Sequence, residues 1–215
     1  MLEFIVSLSL CPSDIRKIRR LLNVSDISVR PLENVLVTPH FVNDETLSLI
    51  RKLQDDGSTV YFDSGGYYVQ IGRMTYEELY YPLLQCYLAN PWADVYTLPD
   101  YVPTTQDSEE DVWLKVRETV DFSSIFLYEL PSRIRERAMP VVHGHTLDQV
   151  EYCLDRYFNL GVKHIGFGSF GTGGKNNEAN VMTQGAQSFA RRVVLIAQDA
   201  GMKVHLFGVG APALV

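Results

Sequence analysis

From about residue 35 onward, short runs rich in Val, Ile, Tyr and Phe alternate with longer segments of helical apolar spacing, and this alternation constrains the fold more than any other feature. The β-type runs are Val35 to Thr38, Thr59 to Phe62, Ala93 to Leu98, Met139 to Val142, His164 to Phe167 and Lys203 to Phe207, with a further opening strand in Glu3 to Leu8. Each is too short to be a lone helix. Strands separated by helices cannot return as hairpins, so repeated β-α units imply a parallel sheet covered by helices. The expected class is therefore α/β, as a TIM-type (β/α) barrel or, as the alternative, an open parallel α/β sheet.

The helical segments carry start and stop signals. Thr75 with Glu78, and Thr146 with Gln149, fit a capping box, in which two side chains satisfy orphan N–H groups at a helix start. Leu79, Leu83 and Tyr87 then share one face, as do Val150, Cys153, Leu154 and Tyr157, which makes them core positions. Gly161 and Gly201 suit the left-handed residue beyond a helix end, and each precedes another strand.

A 215-residue chain with 46% hydrophobic and 21% charged residues can bury one sizeable core, so residues 1–215 are expected to form one domain. No apolar run reaches the roughly 18 residues of a membrane span, and Met1 to Leu10 lacks a basic flank and a small-residue cleavage site. The expectation is a soluble cytoplasmic protein with no membrane partner. Cys11, Cys86 and Cys153 form no C-x-x-C pair and sit among apolar neighbours, which fits small hydrophobes in a reducing compartment without structural zinc. A formal charge of -7 excludes a surface that grips nucleic acid everywhere but leaves room for a local basic strip. Candidates are Arg16, Lys17, Arg19 and Arg20, and the run Arg133, Arg135 and Arg137, each also readable as a solvated helix face.

The unusual residues fall at or just after strand ends: Asp63-Ser64-Gly65-Gly66, Asp100, His143-Gly144, Gly168-Ser169 and Gly208-Val209-Gly210. In a parallel array those ends share one side, so loops remote in sequence can build one pocket. Asp63-Ser64-Gly65-Gly66-Tyr67 reads either as a structural turn or as an acid-base carboxylate beside a glycine-lined slot on which Tyr67 stacks. Gly166 to Gly171 matches G-x-G-x-x-G, but its first glycine lies inside the strand. Lys175 follows two glycines, yet Ser169 and Asn176 stand where a phosphate-binding loop needs Gly and Ser or Thr, so that reading is rejected. His143 and His145 lack an accompanying carboxylate or cysteine cluster and read as polar lining, so no metal ligand is assigned. Asp100 is equally readable as a cap on the segment that follows it.

Taken in order, these segments resemble the tRNA-guanine transglycosylase superfamily, the queuine and archaeosine tRNA-ribosyltransferase-like enzymes that exchange guanine for a 7-deazaguanine. Tyr61-Phe62-Asp63-Ser64-Gly65-Gly66-Tyr67 resembles the family's Asp-Ser-Gly-Gly-aromatic motif. Ala93-Asp94-Val95 leading to Asp100 is similar to the segment ending in the aspartate that reads the base edge. Val141-Val142-His143-Gly144 resembles Val-Gln-Gly, with His143 in place of the base-contacting glutamine. Gly168-Ser169-Phe170-Gly171 is similar to the Gly-Gly-Leu-Ala loop, and Leu206 to Pro212 resembles Leu-Met-Gly-Val-Gly-Thr-Pro.

The resemblance implies a pentosyltransferase performing base exchange, with Asp63 as the acid-base residue. It implies a base pocket made by Ser64, Gly65, Gly66, Tyr67, Asp100, His143, Gly144, Gly168, Ser169 and Phe207. The early Asp-Ser-Gly-Gly turn and the histidine at 143 look more like the DNA-modifying branch of phages and genomic islands than the tRNA enzymes. DNA is thus the favoured partner, with tRNA the alternative, and a free 7-deazaguanine the second substrate. The family's nucleophilic aspartate, its last barrel unit and its zinc module would all lie beyond Val215. The expectation is then a chain with no cofactor of its own, acting in a homo-oligomer or with a completing subunit, or serving as a non-catalytic base-binding partner.

Overall fold

The structure, a computed structural model, describes residues 5–24, 32–168 and 184–208. In chain order the elements are β1 (Val6–Ser7), α1 (Pro12–Val24), β2 (Asn34–Val37), α2 (Asp44–Asp55), β3 (Thr59–Phe62), α3 (Gly66–Gln70), α4 (Tyr76–Ala89) and β4 (Val95–Thr97). They continue as α5 (Glu109–Glu129), α6 (Ser132–Arg135), β5 (Ala138–Met139), β6 (Val141–Val142), α7 (Leu147–Asn159), β7 (His164–Phe167), α8 (Gln184–Asp199) and β8 (Lys203–Leu206). The class is α/β, and every strand pair is parallel.

The strands lie side by side in chain order, β1 to β5 in one sheet and β6 to β8 in a second. The expected single strand over Met139 to Val142 is interrupted at Pro140, which has no N–H to give to a ladder. The chain nevertheless bonds on both sides of that residue. Leu98 donates its amide to the Met139 carbonyl (3.0 Å), while Gly166 donates to Pro140 (2.9 Å) and Gly168 to Val142 (3.3 Å). One extended segment therefore borders both sheets.

Alternation along the strands divides the interior. Val35, Val37, Val60, Phe62 and Tyr96 pack beneath the helices in the main core. Their neighbours Leu36, Tyr61, Val95 and Met139 face the other way and join Ile5 and Phe207 in a smaller cluster. There the Tyr61 ring of β3 lies 5.9 Å from His205 of β8 and 6.4 Å from His164 of β7. Contact between the third and last strands requires the array to curl strongly. Among the described residues no ladder joins β8 to β1.

Helix starts follow local chemistry. Thr75 and Glu78 form the expected reciprocal cap on α4, and Gln149 accepts from the amides of His145 (2.7 Å) and Thr146 (3.1 Å) at α7. The 21-residue α5 is capped by Ser108 and Asp111, where an aspartate does what Glu or Gln does in the usual box. Leu79, Leu83, Tyr87, Val150, Cys153, Leu154 and Tyr157 are all buried, as their spacing implies. Cys11 departs from its expected apolar setting: it is exposed, with its sulfur against Ser13 and Asp14. No helix of the described residues is long and apolar enough to cross a membrane.

Buried tyrosines tie the helices to the carboxyl ends of the strands. Tyr87 of α4 donates to the carbonyls of Thr97 (2.6 Å) and Phe62 (3.4 Å), and Tyr157 of α7 donates to Val141 (3.1 Å). Each hydroxyl thus gives a buried strand carbonyl a donor from the helix layer. Tyr87→Phe removes one hydroxyl serving two strands and should lower stability by about 1–2 kcal/mol. Urea unfolding checks this, and an unchanged midpoint would refute the role.

Candidate functional site

Thr38, Asp63, His143, Gly168 and Phe207 each stand immediately after a strand, with Ser9 and Asp100 slightly further along. Because the strands are parallel, these residues rise from the same side of the sheet. Asp63 still donates its amide to the Val37 carbonyl (2.8 Å), so the backbone carrying the carboxylate is fixed by the sheet.

The expected tight turn after β3 is a turn running directly into a helix. Gly65 takes a left-handed φ of 76° and caps α3. Asp63 Oδ2 accepts from the Gly65 amide (3.2 Å) and from the Thr38 hydroxyl (3.2 Å). Thr38 is in turn held by Ser9, whose Oγ accepts from the Thr38 amide (3.0 Å). Ser64 accepts from the Gly66 amide (3.2 Å) and donates to Asp100 Oδ1 (3.0 Å). A Cβ at Gly66 would collide with that same oxygen, so glycine at this position lets Asp100 approach the turn.

Asp100, only 6% exposed, completes its bonding with His143, whose Nε2 is 2.7 Å from Oδ2. His143 is fully buried, and a Cβ at Gly168 would come within 2.8 Å of its Cε1. The Asp-Ser-Gly-Gly turn, Asp100, His143 and Gly168 thus meet in a chain of direct contacts. Gly144 packs on Gln149 at the start of α7.

Electrostatics single out Asp63. Burial, reinforced by the neighbouring Asp100, pushes its pKa from 3.8 up to about 6, against the opposing bonds from Gly65, Thr38 and Ser64. A carboxyl titrating there exists in both forms near neutrality, as a proton-transfer group must. Two residues beyond Thr38, His40 lies against the Gly65 backbone, and burial pushes its pKa down to about 4. Among the described residues both its ring nitrogens are buried without a hydrogen-bond partner.

The other expected residues are placed differently. Tyr67, 55% exposed, meets the Tyr68 ring edge-on at 6.2 Å, whereas Phe207 is packed over Gly166 and against His205 in the smaller cluster. Ser169 lies outside the described residues, as do Val209 and Gly210. Five of the basic candidates have partners within the chain. On α1, Arg16 pairs with Glu45, Lys17 with Asp14 and Arg19 with Asp56. Arg135 donates to the carbonyls of Tyr128 and Leu130, and Arg137 to those of Ala93 and Pro91. Ala93 and Arg137 precede β4 and β5, so this run lies at the end of the sheet opposite Asp63.

A surface depression of about 550 Å³ on α5, lined by Glu109, Glu110, Trp113, Leu114 and Arg117, contains none of these residues. All five lining residues belong to one helix and none follows a strand, so the strand-end constellation is the better candidate. Among the described residues no group of three His, Cys, Asp or Glu side chains is placed to hold a metal ion. Ser9, Thr38 and His40 belong to the site although the sequence did not single them out. Their only signal was position, directly after the first two strands. No protein-family model matches the chain, and no curated protein matches it either.

Raising the folded pKa of Asp63 makes its ionisation a cost to folding. That cost is absent below the unfolded value near 4, grows as pH rises through 6, and has an upper limit of roughly 3 kcal/mol. Asp63→Asn, which keeps an acceptor oxygen, should gain stability over the wild type as pH rises from 4 to 7 and hold a constant advantage above that. Thermal melts across this range check the trend, and parallel curves would contradict it.

Proposed function

We propose that this chain is a guanine-transglycosylase-like protein whose strand-end rim, on a TIM-type (β/α) barrel, receives a guanine or 7-deazaguanine base. The observation that carries the reading is the pairing of Asp63, with its pKa near 6, and Asp100 on adjacent strands, linked through Ser64. The chain order of the strands and the contact of Tyr61 with His205 support a barrel over a flat sheet.

In a base exchange the glycosidic C–N bond breaks, the departing base nitrogen takes a proton, and the entering base gives one up. Asp63 can do both, since the proton it gives to the departing base is replaced by the one the entering base gives up. Asp100 reads the base edge, and Tyr67, exposed beside the turn, is free to stack on a base face. The favoured acceptor is DNA, with the target nucleotide flipped out or single-stranded, and tRNA is the alternative.

One observation favours a second reading, a base-binding partner without complete chemistry of its own. The sugar between the two displacements is carried by a carboxylate nucleophile. Both oxygens of Asp100 are already bonded, by Ser64 and His143, so it is poorly suited to that role. A completing subunit would then supply the nucleophile.

Calorimetric titration with 7-deazaguanine should show binding that Asp100→Ala weakens by about 100-fold or more, as loss of a buried partner for substrate N–H groups does. Incubation with labelled guanine and either DNA or tRNA separates the substrates. Binding without label transfer favours the partner reading, and absence of any purine binding removes both.

A further inference from the structure

The deepest polar contact of the rim is the one between His143 and Asp100, and its surroundings leave the imidazole little freedom. His143 is fully buried, its Cε1 occupies the space a side chain at 168 would need, and its carbonyl accepts from Cys153 Sγ (3.6 Å). The distance between Nε2 and Oδ2, 2.7 Å, is that of a charge-assisted hydrogen bond. A second donor, the Ser64 hydroxyl, reaches the other carboxylate oxygen at 3.0 Å.

Two arrangements of the proton satisfy this geometry, and they present opposite faces to a ligand. With the proton on Nε2, Asp100 is an anion, and each oxygen keeps a lone pair after Ser64 and His143 have taken one. With the proton on Asp100, Nε2 is the acceptor, and the carboxyl has spent its donor on His143. The Ser64 hydroxyl, which accepts from the Gly66 amide and so has its own proton to give, can bond Oδ1 in either arrangement, but it bonds a carboxylate more strongly than a neutral acid and so favours the first. Only the anion offers two neighbouring acceptors.

We propose that His143 is a positioning residue that keeps Asp100 an acceptor on both oxygens, so that the rim selects purines whose edge is all donor. A guanine-type edge, with N1–H beside a 2-amino group, satisfies both oxygens. A purine with an unprotonated N1 sets a lone pair against the carboxylate. This rests on the purine reading above and adds to it the source of the selectivity. It moves His143 from contact with the base to the far side of Asp100, where Nε2 is committed to the carboxylate.

Two measurements test it. In wild-type protein carrying ¹⁵N-histidine, the Nε2 of His143 should show a directly bonded proton at neutral pH. An unprotonated Nε2 overturns the proposal whatever the protein binds. Titration with 7-deazaguanine and with 2-aminopurine then gives a selectivity ratio, expected to exceed about 30-fold for wild type. His143→Gln, which can still donate, should keep most of that ratio. His143→Leu should bring it below about 3-fold while some purine binding remains. An equal ratio in wild type and His143→Leu overturns the selectivity claim alone, whereas failure of the wild type to bind either purine overturns the purine reading with it.

Discussion

Asp100 can lie against the turn after β3 only because residue 66 has no side chain, and the arrangement of the rim depends on that approach. The contact brings Ser64 within bonding distance of Asp100 Oδ1 and places the negative charge that helps raise the pKa of Asp63. One missing methyl group thus links backbone conformation to acid strength. The same device recurs at Gly168, where the absence of a Cβ makes room for the ring that grips Asp100 from the opposite side.

The supports beneath the rim are ordinary core residues with one polar atom each. Tyr87 and Tyr157 present large apolar rings to the core, then use their hydroxyls on carbonyls at the ends of β3, β4 and β6. Packing and positioning are therefore not separable here. A change that loosens these helices would also loosen the carbonyls that flank Asp63 and His143.

The parallel α/β class, the strand positions and the capped starts of α4 and α7 were legible because they rest on local periodicity and short-range bonds. The start of α5 was missed because Ser108 and Asp111 accomplish the cap with a shorter acid. The break at Pro140 followed from one missing N–H inside an otherwise strand-like run. The convergence of Asp63, Asp100, His143 and Gly168 at one end of the sheet followed from their places after strands. What each one touches did not. Thr38 and His40 look like the tail of a strand and a turn, and nothing local tells that a hydroxyl there meets Asp63 or that an imidazole lies on Gly65. The basic runs were equally opaque, since Arg135 and Arg137 donate to main-chain carbonyls that no sequence pattern reveals.

Pro140 also divides the rim between two bodies. Thr38, Asp63 and Asp100 follow strands of the five-stranded sheet, while His143 and Gly168 follow strands of the three-stranded one. The imidazole–carboxylate bond spans that break from side chain to side chain. Any molecule that seats on Asp100 would therefore rest on a carboxylate gripped from both sheets at once.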